Sequence, residues 1–246
     1  MVFQSPELYL DEIQEWLIIA HDIGISRSAL DEHLRDAGIS HKLLHKAAAE
    51  RDEVARAQFR QYAQDNWVAN QLVFVDETSK DDRTIYRHYG RSILGKAAEF
   101  SAPFVRGQCY SMIAALTVDG YMNTRVVEGS VDGDEFQDFI ANDVLPRMNS
   151  WPGDNSVLIL DNCAIHKREE LREMVEAEGC QLIFLPAYSP DFNPIEESFS
   201  VFKSHLRRNW KQMQDAEDPE FALYEAATYI TKDMAKAWIT HAGYKF

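Results

Sequence analysis

Basic residues are scarce in this chain. Its 246 residues hold 25 Lys and Arg against 40 Asp and Glu, a formal net charge of −15. A protein that grips nucleic acid over its whole surface presents a cationic face that displaces counterions from phosphate. The charge counts against a simple DNA-binding module. It does not exclude a local basic groove, and carboxylates gathered around a divalent cation are neutralised when the cation binds. Cysteine is scarce too: Cys109, Cys163 and Cys180 are odd in number and show no C-x-x-C spacing, which argues against a disulfide framework or a zinc ribbon. They are expected to be small buried residues. No apolar run approaches the roughly 20 residues that cross a bilayer, and the opening MVFQSPELYLDEIQ lacks the basic-then-apolar order of a secretory signal. An intracellular protein without a membrane partner is expected. Walker A, G-x-S-x-G and H-E-x-x-H sequences are missing as well, so a nucleotide cofactor held by that loop, serine esterase chemistry and zinc protease chemistry have no support.

What is present is enough apolar material, 46% of residues with 11% aromatic, for one full domain and a small second one. Residues 7 to 62 read as helical. LYLDEIQEWLIIA sets Leu8, Ile13, Leu17 and Ile18 near one face, and SRSALDEHLRDAG opens on a serine cap and ends at Gly38. A helix, a turn and a second helix fit a DNA-binding helix-turn-helix; they fit a plain helical hairpin equally well. Arg27 and Arg35 are its candidate phosphate contacts, set among Asp31, Glu32 and Asp36. Residues 41 to 65 read as a long, charged, solvent-facing helix that links two regions.

From residue 71 the pattern changes to strands. QLVFVDETS is an apolar run ending in an acid, and QCYSMIAALTVDGYMNTRVVEG gives two β-rich runs around Asp119-Gly120, a hairpin signal. A helix over about 132 to 148, a strand at 157 to 160, a helix over 167 to 178, a strand at 181 to 185 and a helix from Asn193 follow. This order predicts an α/β fold, a mixed sheet with helices on its faces.

Two strand runs end in aspartate, VFVD at Asp76 and LILD at Asp161, where ligands gather in open α/β sheets. The next helix begins PAYSPDFNPIEESFS, with Asn193 placed as N-cap, Pro194 at the first helical position and Glu196 three residues after the cap. Each acid alone reads equally as a strand end or a cap. Together they form a candidate cluster whose repulsion a hard divalent cation relieves. Mg²⁺ fits oxygen ligands of this kind, and two such ions support phosphodiester cleavage or strand transfer. Ile195, Phe199, Phe202 and Leu206 form the buried stripe of the last helix, which leaves Glu196 on a face with Lys203 and Arg207 and turns Glu197 about 100° away. Lys203 and Arg207 are therefore candidate DNA contacts. Lys80, Arg83, Arg87, Arg91 and Lys96 border the same groove or lie in a solvated loop. His166 and Asn162, in DNCAIH, are candidates for positioning the carboxylates rather than for catalysis.

VFVDETS, LILDNCAIHK and LPAYSPDFNPIEESFSVFK, in that order, resemble the DDE transposases of the mariner and related insertion-sequence superfamily; Asp161 and Glu196 lie 35 positions apart, the spacing of that family. The resemblance covers roughly residues 70 to 245. It implies a ribonuclease H-like five-stranded mixed sheet flanked by helices, with Asp76, Asp161 and Glu196 as metal-binding catalytic triad and Mg²⁺, or Mn²⁺ in its place, as cofactor. It also implies cut-and-paste transposition of double-stranded DNA by a homodimer on transposon ends and target. SPELYLDEIQEWL and GISRSALDEHLRDAG are similar to the second helix-turn-helix of the family's DNA-binding region, without the first. The expected organisation is 1–45 as a partial helix-turn-helix, 46–69 as a linker helix and 70–246 as the catalytic domain. A transposon-derived DNA-binding or interaction protein without transposition, and a ribonuclease H-like nuclease acting on RNA-DNA hybrids, are the other readings. The nucleus is the expected location in a eukaryote and the cytoplasm in a bacterium.

Overall fold

The computed structural model describes residues 3, 5–42, 44, 50–80, 87, 89–99, 109–163, 166, 168–214 and 216–246. The chain divides into two compact units, Met1–Ala49 and Glu50–Phe246. In the first, α1 (Leu10–His21) opens with the Tyr9 amide donating to Glu12, and α2 (Arg27–Asp36) opens with the Ser26 hydroxyl accepting from Ala29 N–H. Ile13 and Leu30 are buried, whereas Ile18 is 53% exposed. Five helical positions carry Ile18 roughly 140° from Ile13, so the expected four-residue apolar face is narrower than its sequence spacing implied.

The second unit is built on a five-stranded sheet of order β3-β2-β1-β4-β5, formed by β1 (Leu72–Lys80), β2 (Tyr110–Thr117), β3 (Gly120–Glu128), β4 (Val157–Leu160) and β5 (Gln181–Phe184). β1 and β2 are antiparallel, as are β2 and β3, while β1, β4 and β5 run parallel. This is the mixed sheet expected from the sequence, with the hairpin turning at Asp119-Gly120. Gly120 takes φ +105°, and a Cβ there would lie 3.2 Å from the Ile230 carbonyl oxygen, so both the backbone conformation and the space call for glycine.

The pleat of β1 sorts its side chains between two cores. Leu72 and Phe74 pack with Ile195, Phe199, Phe202 and Leu206 of α6 (Pro194–Arg208), which confirms the expected buried stripe. Val73 and Val75 face the other way, onto Phe136 and Phe139 of α4 (Gly133–Phe139) and Leu171 and Val175 of α5 (Glu169–Ala177). The helix expected over 132 to 148 is regular only to Phe139 and continues as irregular turns to Arg147, where Pro146 lacks an amide donor. Three further helices close the chain: α7 (Trp210–Gln214), α8 (Pro219–Ala227) and α9 (Lys232–His241). Tyr224 of α8 accepts a hydrogen bond from Val126 N–H on edge strand β3, which blunts that edge against pairing with another strand.

α3 (Glu53–Asn66) is shorter than the helix expected over 41 to 65 and belongs to this second unit. Ala63 and Trp67 are buried in its core and Phe59 stacks on Phe192 at 5.5 Å. Arg56 is only 3% exposed and donates to both oxygens of Asp191, at 2.9 and 2.7 Å. The helix is therefore no free linker; a charged residue whose partner lies far along the chain reads as solvent-facing in sequence. The cysteines also depart from expectation: only Cys180 is fully buried, and Cys109 is exposed.

The hydrogen bonds and charge of Arg56 hold the Asp191 carboxyl below its ordinary range. Its stabilising contribution is then complete above the ordinary aspartate value near pH 4 and is lost as pH falls through the depressed folded value. Because Asp191 is half exposed and can be rehydrated, Arg56→Met is expected to cost about 1–2 kcal/mol in urea unfolding at neutral pH. That difference should shrink on acidification below about pH 4; a difference that grows there would contradict the assignment.

Candidate active site

Strand register brings the first two acids together. β1 and β4 are parallel neighbours with Val75 opposite Leu160, so Asp76 and Asp161 are the next residues along two adjacent strand paths. Glu196 arrives from the first turn of α6, whose stripe packs on the same face of β1 that carries Asp76. The Asp76 carboxyl is pushed up to about 8, first by burial and then by the charges of Glu196 and Asp161. Glu196 is raised as well, by burial and by Asp161 and Glu77, with Lys203 opposing. These shifts are the signature of carboxylates that share one cleft without enough cationic partners. The cleft, about 410 Å³, is lined by Asp161, Asn162 and Glu196 together with Leu185, Pro186 and Tyr188.

The carboxylates are fixed by neutral and cationic neighbours. Asn193 Nδ2 donates to Asp76 Oδ2 at 2.9 Å. Asn193 occupies the expected cap position, but its side chain makes no cap hydrogen bond, and Glu196 completes no capping box; its amide N–H is instead given to the Asp76 carboxylate. Asn193 Oδ1 is left buried without a partner. His166 is fully buried, with Nδ1 2.6 Å from Asp161 Oδ1 and Nε2 3.1 Å from Glu77 Oε2. Burial pulls this imidazole down, yet the hydrogen bonds and charges of Asp161 and Glu77 outweigh it and push it up to about 10. Its ring stacks on Phe136 at 4.0 Å between centroids.

His166 thus bridges Asp161 and a second acid. Glu77, its second partner, was missed in the sequence; the signal was present, because the residue after Asp76 in a strand points to the opposite face, where DNCAIH brings the histidine. Asn162 lines the cleft and is exposed. Glu197 turns away and meets His241 at 2.7 Å. Arg207 lies at the far end of α6 in a groove with Arg87, Tyr89 and Arg208, and Arg87 donates to the Arg207 and Arg208 carbonyls. Arg91 and Lys96 are exposed; Arg83 and the Lys80 side chain lie outside the described residues. Arg27 and Arg35 lie in the first unit, where Arg27 meets Asp11 at 3.7 Å and Arg35 meets Asp31 at 2.6 Å.

The donor set fits a divalent cation: oxygen ligands, surplus negative charge and a raised buried carboxyl that a cation would restore to its ionised form. Among the described residues, no three His, Cys, Asp or Glu side chains stand grouped so as to hold a metal ion by themselves. An open set suits Mg²⁺, which keeps several waters and is held by one or two carboxylates together with substrate phosphates.

The strand that the sequence suggested would end at Asp76 runs on to Lys80, so Asp76 lies within β1 and only Asp161 follows a strand end. A ribonuclease H-like sheet with acids on two neighbouring strands and on a following helix defines a class, the carboxylate-dependent phosphodiester enzymes. The chain belongs to the DDE superfamily endonucleases, whose sequence model matches residues 71–218. Its fold is that of the mariner transposase Mos1. The chain aligns over 100% of its length with 77% of the Mos1 chain in a paired-end complex with the left transposon end, at 16% identity and a TM-score of 0.61. It aligns over 100% of its length with 77% of a pre-cleavage Mos1 transpososome chain, at 14% identity and 0.59. A Mos1 strand transfer complex gives 15% identity and 0.59, with 76% of that chain covered. No curated protein matches the sequence.

Removing the imidazole is expected to loosen Asp161 without emptying the cleft of acids. His166→Ala should weaken Mn²⁺ binding, followed by calorimetry, about 10- to 100-fold. Unchanged affinity would show that Asp161 needs no such support.

Proposed function

We propose that the protein is a transposase-type DNA endonuclease and strand transferase, in which Asp76, Asp161 and Glu196 hold Mg²⁺, or Mn²⁺ in its place. The observation that carries this reading is the register of β1 and β4, which sets Asp76 beside Asp161 while the Asp76 carboxyl answers to the charges of both Asp161 and Glu196. When bound, the divalent ions supply Lewis-acid activation of a water or 3′-hydroxyl and relief of charge on the leaving oxygen. The chain's own residues do the rest. Asn193 and His166 fix the orientation of Asp76 and Asp161, and Glu77 fixes His166.

Lys203 stands close enough to Glu196 to lower its carboxyl, and Arg207 lies one turn further on. Glu196 to Arg207 spans about 16 Å along the helix axis. This is a track for a DNA backbone that ends at the acids, and it reconciles a total charge of −15 with phosphate binding. The first unit, in this reading, is the partial helix-turn-helix. Its arginines sit in exposed ion pairs worth about 1 kcal/mol or less, so phosphate can displace the acids. The Mos1 structures that share the fold are complexes with transposon ends, which supports double-stranded DNA as partner and a homodimer as the working form. The nucleus of a eukaryote, or a bacterial cytoplasm, holds that substrate.

Incubation of supercoiled plasmid with Mg²⁺ or Mn²⁺ is expected to give nicked and linear DNA, and Asp161→Asn is expected to abolish both. Equal cleavage by the two proteins would remove the assignment. For the track, Lys203→Ala and Arg207→Ala are each expected to weaken binding to any duplex and to lower the slope of log affinity against log salt by about 1. A slope that stays put would mean that neither side chain meets phosphate.

A further inference from the structure

The segment from β5 to α6, LPAYSPDFNP, does more than deliver Glu196. Both of its ends are anchored. Leu185 is buried and its amide donates to the Leu160 carbonyl at 2.9 Å, while Ser189 is buried and Asp191 is held by Arg56. Between these anchors Tyr188 is 55% exposed and lines the same cleft as Asp161 and Glu196. Its backbone has φ 55°, a left-handed conformation that glycine adopts freely and a tyrosine does not. Its hydroxyl takes no hydrogen bond among the described residues. An aromatic ring is thus kept open to solvent, on a fixed and strained backbone, in a cleft that two carboxylates also line.

The cleft is mixed in its chemistry. Its lining includes Asp161 and Glu196, which suit a cation and a phosphate, and the apolar Leu185, Pro186 and Tyr188 ring. A nucleotide is mixed in the same way, with a charged backbone on one side and a flat, weakly polar base on the other. A base within a duplex hides its faces in the stack; only an unpaired one can offer a face to a side chain. We propose that Tyr188 stacks on an unpaired base next to the scissile phosphate and so favours DNA with a frayed or single-stranded end over fully paired duplex. The proposal rests on the reading of the cleft as a DNA phosphodiester site.

The test uses the full chain with Ca²⁺ and two short duplexes of one sequence, one blunt and one with a 3′ overhang that carries 2-aminopurine. Wild-type protein is expected to bind the overhang more tightly and to quench the probe. Tyr188→Ala and Tyr188→Gly should lose about 10-fold in affinity for the overhang, and the quench with it, while blunt-duplex affinity holds. The glycine variant suits the left-handed backbone, so a fold defect cannot account for its loss. Tyr188→Phe should restore both signals, because the ring and not the hydroxyl is at work. The idea is overturned if the glycine variant keeps the overhang affinity and quench, if phenylalanine is as defective as alanine, or if wild type does not distinguish the two DNAs. Plasmid nicking that Asp161→Asn abolishes would leave the endonuclease reading standing in any of those cases. Its absence would remove that reading while the binding comparison still reports on Tyr188.

Discussion

Repulsion among carboxylates is the constraint around which the catalytic unit is arranged. Asp76 is buried at the middle of β1, Asp161 follows the neighbouring strand, and Glu196 approaches them from α6. Bringing such groups together opposes folding unless something else holds them. Here the sheet register and the α6 stripe do so with hydrophobic contact, since Ile195, Phe199, Phe202 and Leu206 pack on the face of β1 that carries Asp76. Burial of large side chains contributes roughly 1.5–3 kcal/mol each, enough in sum to hold an unfavourable charge cluster in place. The cluster is therefore poised for cations instead of relaxed without them.

The polar neighbours of the acids divide the work by charge. Asn193 is neutral and supports Asp76 by a single hydrogen bond, so it adds no charge of its own to the cluster. His166 lies between Asp161 and Glu77 and offsets part of the charge on the other side of the sheet. Lys203 does the same for Glu196 from one face of α6. None of these cations lies at the centre of the cleft, which stays open for metal and phosphate.

Much of this was legible in the sequence because the responsible patterns are local. Apolar runs that end in aspartate gave the strands and two of the acids, and a 3.6-residue stripe gave the buried face of α6 and, by difference, the face with Glu196, Lys203 and Arg207. What was not legible depends on partners far along the chain. Arg56 reads as a solvated charge until Asp191 reaches it, and Asn193 reads as a helix cap although its side chain serves Asp76 instead. Helix α8 went unseen because PEFALYEAA buries Ala222, Leu223, Ala226 and Ala227 while exposing Phe221, so its largest apolar residue lies on the wrong side for a simple pattern. The family resemblance named the triad; the coordinates add the register that juxtaposes two of its members.

The pleat of β1 gives the dipeptide Asp76-Glu77 two addresses, one acid toward α6 and the other toward His166. Adjacent codons therefore serve opposite sides of a single sheet, and their roles cannot drift independently. Deleting or inserting one residue upstream in the strand would exchange the two acids between environments that tolerate only one arrangement. In this segment evolution can substitute letters far more readily than it can change their number.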